Sequence, residues 1–63
     1  MTLPLRIKRR VQAARRLAEH HLKQGDKLPE DVDESLKHAE HNAEPAESER
    51  IVQQIIERVL AAV

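Results

Sequence analysis

From Leu3 to Leu22, apolar residues recur at intervals of three and four: Leu3, Ile7, Val11, Ala14, Leu17, Ala18 and Leu22, with His21 inside the same stripe. That spacing puts them on one face of an amphipathic helix, and Arg, Lys and Gln fill most of the other positions. Thr2 is placed to cap this helix, and Pro4 is tolerated in its first turn. Lys23-Gln24-Gly25 reads as a basic last turn with a glycine stop. The pattern predicts helix 1 over residues 3–24, roughly 33 Å long.

A second stripe follows at Leu28, Val32, Leu36, Ala39 and Ala43. Pro29 suits a first helical position, and Glu30, Asp31 and Asp33 set negative charge at the positive end of the helix dipole. Asp33 and Lys37 form an i,i+4 pair in the favourable order. Asn42 can adopt a left-handed stop, and Glu44 is biased away from helix by Pro45. Helix 2 is therefore expected over residues 29–41.

Pro45 restarts the chain, with Glu47 and Glu49 in the first turn, and helix 3 is expected over residues 45–62. Its second half, Ile51–Val63, holds seven of the seventeen large aliphatic residues in the chain. With Val52 at heptad position a, Ile55 falls at d, Ile56 at e, Val59 at a, Ala62 at d, Val63 at e and Ile51 at g. These positions face the interior of a bundle. Leu60 falls at b and faces outward beside Ile56 and Val63. Three helices with short connections predict an all-α, up-down-up three-helix bundle forming a single domain over residues 1–63. The competing reading is one kinked helix from 29 to 63, which would have to absorb both Asn42 and Pro45.

Charge sharpens this picture. Residues 1–24 carry seven basic side chains and one acidic, and residues 25–50 carry three basic and nine acidic, although the whole chain is neutral. A basic helix 1 antiparallel to an acidic helix 2 is self-complementary. This selects topology more than it adds stability, because exposed pairs each contribute about 0–1 kcal/mol.

The chain has no cysteine, which excludes disulfides, thiolate metal sites and a cysteine nucleophile. It has no Phe, Tyr or Trp, which argues against base stacking, cation–π cages and aromatic hot spots. A domain of this size buries only about 60% of its unfolded surface. It therefore leans on tight helix packing, on self-association or on a metal. No apolar run approaches the roughly 20 residues of a membrane span. The six basic residues and absent acids of residues 1–18 resemble a mitochondrial presequence. The amphipathic pattern nevertheless continues unbroken to Leu22, as in an ordinary basic helix of the domain. A cytoplasmic location is expected.

The four histidines are the main candidates for chemistry. His38 and His41 lie i,i+3 on helix 2 with Glu34 and Glu44 nearby, a spacing that can chelate zinc or copper. In an antiparallel hairpin, His20 lies level with Asp33 and His38 level with Arg15. One chain does not gather all four, so a metal site would have to form between chains. His21, inside the stripe, is expected to be half-buried near the first loop. Ser35 and Ser48 have no base or oxyanion donor at a fixed offset, and no glycine-rich loop exists to cradle phosphate. A basic line, Arg9, Arg16 and Lys23, repeats every seven residues on the outer side of helix 1 and could follow a phosphate backbone.

Prolines at helix starts, clean stops and charge segregated by helix resemble idealised, designed three-helix bundles. The phrase Gly25-Asp26-Lys27-Leu28-Pro29-Glu30-Asp31-Val32 is similar to loop-to-helix joins in such proteins. The resemblance spans the chain and implies a scaffold. Asp31–Leu36 is also similar to part of a helix in the plasmid RNA-binding Rop family. Rop is a helical hairpin, and six shared residues carry no function over. The expected function is a non-catalytic helical scaffold or interaction module without cofactor, self-associating as a homodimer through Ile56, Leu60 and Val63 or binding another protein. The alternatives are weak nucleic-acid binding through Arg9, Arg16 and Lys23, and an interchain metal site at His38 and His41.

Overall fold

The computed structural model describes residues 3–41 and 44–63. The cap expected of Thr2, the stop expected of Asn42 and the place of Ala43 lie outside these residues. Three helices follow in order: α1 Leu5–His21, α2 Glu30–His41 and α3 Pro45–Ala62. Asp31, near the start of α2, pairs with Arg58 late in α3, while His38, near the end of α2, pairs with Glu47 early in α3. The two helices therefore run antiparallel. The short connection after α1 turns the chain back as well, so α1 and α3 are parallel and all three pack together. This is the expected up-down-up bundle, and the single kinked helix is excluded.

Where the helices end follows from local chemistry. Pro4 takes an extended conformation (φ −55°, ψ 145°), and its carbonyl accepts the first bonds of α1, from the Ile7 and Lys8 amides. The residue before a proline is disfavoured from helix, so α1 starts at Leu5, two residues later than expected. Pro29 likewise stands just before α2 and accepts from the Asp33 amide. Pro45 is the first residue of α3, as expected, with Glu44 extended before it.

The C-terminus of α1 departs further from expectation. The helix ends at His21, and Gly25 does not cap it. Gln24 and Lys27 instead exchange both backbone hydrogen bonds across Gly25-Asp26, at 2.9 and 3.3 Å. Gly25 has φ +65° and Asp26 a negative φ, the pattern of a type II′ turn with glycine at its first central position. Pairing Gln24 with Lys27 withdraws Lys23 and Gln24 from the helix.

The core takes Ile7, Val11, Ala14 and Ala18 from α1, Val32, Leu36 and Ala39 from α2, and Ile51, Val52, Ile55 and Val59 from α3. Burying a large aliphatic side chain contributes about 1.5–3 kcal/mol. Half of these side chains, four of eight, come from α3. The alanines of α1 and α2 allow the backbones to approach closely and add little volume.

Four burial expectations are corrected. Leu17 lies at the rim, 39% exposed. His21 is exposed; its ring meets that of His20 edge-on, with centroids 4.6 Å apart, and Ala18 and Leu22 fill the interior at that level. Ala62 and Val63, assigned to interior heptad positions, are also exposed. Arg58 is already level with the first turn of α2, so the end of α3 projects past the helix that would cover it.

Candidate interaction surface

Ion pairs consume much of the charge on α1. Arg15 bridges to α2, with Nε 2.8 Å from Glu40 and Nη1 3.8 Å from Asp33. The hydrogen bond to Glu40 raises the pKa of its guanidinium above the ordinary arginine value, against the opposing effect of partial burial. Arg10 clasps Glu49 of α3 at 2.9 Å. Both arginines flank the apolar stripe of α1, one on each side. Lys37 joins Asp33 at 3.2 Å as the helix spacing foretold.

The basic line is shorter than expected. Arg9 and Arg16 are exposed on α1 and have no ion-pair partner among the described residues. Lys23 has left the helix and does not extend their line. It lines a cleft of about 490 Å³ beside the turn, together with Arg15, Glu19, Asp26, Lys27 and Asp33. The carboxylates there oppose a phosphate backbone.

The two histidines of α2 diverge. His38 Nε2 lies 2.9 Å from Glu47 on α3, whereas His41 Nε2 lies 3.8 Å from Glu40, a carboxylate already bonded to Arg15. Among the described residues, no three His, Cys, Asp or Glu side chains come together as a metal site. Ser48 is fully buried, and its hydroxyl donates to the Ala39 carbonyl at 2.9 Å. That carbonyl belongs to the last turn of α2, where helix carbonyls lack amide partners. The hydroxyl is committed to structure and closed to solvent.

Ile56, Leu60 and Val63 form a continuous apolar ridge. Ile56 is half-buried against the core, while Leu60 and Val63 are 65% and 74% exposed. The Arg10–Glu49 clasp sets the level of α1 beside α3. Leu17, 39% exposed, stands at the rim of the α1 stripe. Leu17 is not distinguishable by pattern, because an apolar stripe does not reveal which of its members stand at the rim. No helix among the described residues is long and apolar enough to cross a membrane. No protein-family model, curated protein or solved structure matches this chain.

Proposed function

We propose that this chain is a non-catalytic helical scaffold of designed type that self-associates as a homodimer through α3. One observation carries the reading: Leu60 and Val63, 65% and 74% exposed, continue the ridge of the half-buried Ile56 at the end of the most apolar helix. Uncovered aliphatic ridges mark interaction surfaces, and a two-fold dimer is the simplest way to cover one. The committed hydroxyl of Ser48 and the divergent His38 and His41 support a role without catalysis, metal or cofactor. Charged residues at 35% and the absence of cysteine support action in the cytoplasm. Regular helix boundaries at Pro45 and a glycine-bearing tight turn support the idealised character. Leu60→Lys tests the seam. Light scattering should show the variant shifting towards monomer, with lower thermal stability at low concentration. A wild-type chain that is monomeric at high micromolar concentration would remove the seam.

A second reading, weak nucleic-acid binding by α1, rests on Arg9 and Arg16, which are exposed and have no ion-pair partner among the described residues. Two such phosphate pairings release about two counterions, so this binding would be sequence-blind and lost at moderate salt.

A further inference from the structure

Resting on the second reading above, we infer that α1 seats its solvent side on a nucleic-acid duplex and that Arg6 joins Arg9 and Arg16 as a third phosphate contact. The arginines of α1 fall into two groups. Arg10 and Arg15 flank the buried stripe and are taken up by Glu49 and by Glu40 with Asp33. Arg6, Arg9 and Arg16 are exposed and have no ion-pair partner among the described residues. At about 100° per residue these three fall within about 80° of one another, on the side of α1 turned away from the stripe, with Arg6 at the edge nearer α3. Ala13, also exposed, lies inside the same arc and keeps the surface low between them.

Acids are missing from this side. Glu19 is the one acid of α1, and it lines the cleft towards α2 with Arg15 and Asp33. Asp31, Asp33, Glu40, Glu47 and Glu49 are drawn into pairs. Glu34 and Glu57 are exposed on the outer sides of α2 and α3, away from their buried faces. A chain that is neutral overall therefore turns one positive face outward, and that face fits an anionic partner.

The side chains choose the anion. The face is made of arginine alone, although the chain also has lysines at 8, 23, 27 and 37. A guanidinium forks onto two phosphate oxygens at once, which an ammonium does not. From Arg6 to Arg16 the helix rises about 15 Å. That length spans roughly four steps along one strand of a duplex. With no Phe, Tyr or Trp the chain cannot stack on unpaired bases, so a duplex supplies the phosphates better than a single strand does.

Salt titration tests this, read by fluorescence anisotropy of the intact chain with a short labelled DNA duplex. Three phosphate contacts predict a slope of about −2.7 for log affinity against log salt, or about fortyfold weaker binding for a fourfold rise in salt. Arg6→Ala, Arg9→Ala and Arg16→Ala should each remove about 0.9 from that slope, whereas Arg6→Lys should keep the slope and weaken binding. Lys8→Ala and Arg50→Ala, exposed but off the face, should leave it unchanged. All five sites are exposed, and circular dichroism checks that each variant keeps its helicity. If Arg6→Ala leaves the slope alone while Arg9→Ala and Arg16→Ala lower it, the second reading stands and this inference falls. If Lys8→Ala or Arg50→Ala lowers it as much, the attraction is diffuse and the face is not the site. Poly-glutamate binding as tightly at equal charge would overturn the assignment to phosphate. No binding at low salt overturns both readings.

Discussion

Ser48 shows how one residue can be misjudged from its type. Its surroundings in the sequence offer no base or oxyanion donor, and in the fold it is fully buried and closes the last turn of α2 through the Ala39 carbonyl. Removing it strands a buried acceptor, so Ser48→Ala should cost about 1–3 kcal/mol in urea denaturation. An unchanged midpoint would mean that water reaches the carbonyl. Asp31 is the opposite case, an exposed carboxylate whose pKa is lowered by the hydrogen bond from Arg58. The unfolded chain, with its aspartate at the ordinary value of about 4, takes up the proton first as pH falls. The pair's contribution is whole above that value and is lost as pH drops through the lower folded one. Wild type should therefore exceed Asp31→Asn in stability at neutral pH, and the gap should close in strong acid. An equal gap at both pH values would show that the carboxylate acts otherwise.

At the scale of elements, prolines and backbone pairing decide the boundaries. Pro4 and Pro29 each stand one residue outside a helix, whereas Pro45 opens one. The turn at Gln24–Lys27 requires a positive φ at Gly25, and a Cβ there would meet nothing within 4 Å. Any cost of Gly25→Ala is thus conformational, about 1–2 kcal/mol. Thermal melts should show a clear loss for alanine and a smaller one for asparagine, which tolerates the left-handed region better. Equal melts would mean the turn relaxes to another type. Of the cleft beside this turn, only its charged lining was foreseeable from composition. Its shape depends on the chain leaving the helix after His21.

The whole molecule rests on an uneven core. Half of its large buried side chains come from α3 alone, and α1 packs most extensively against that helix. Ile55 is 4% exposed near the middle of the aliphatic face. Ile55→Ala should cost about 2–5 kcal/mol, a large share of the stability of so small a domain. Near-wild-type denaturation would show that the neighbouring helices close over the cavity. The charge segregation between α1 and α2 is realised mainly through Arg15, which reaches both Asp33 and Glu40. Its partial burial makes it the most consequential of the bridges.

The existence of three helices, their order, the face each buries and the outward place of Leu60 were all present in the sequence. Helical periodicity and proline placement are local properties, and burial of an apolar stripe follows once helices form. Rim and end effects were not legible. Leu17, His21, Ala62 and Val63 each sit in an apolar pattern, but Leu17 stands at the rim of its stripe and the exposure of the other three depends on where the neighbouring helices stop. The match of Ser48 to the Ala39 carbonyl, the clasp of Arg10 with Glu49 and the departure of Lys23 from the basic line likewise depend on register between helices. A one-dimensional pattern carries each helix's own phase but no relative height between two helices. Only packing sets that height, and it is what brings Arg10 to Glu49 and Ser48 to the Ala39 carbonyl.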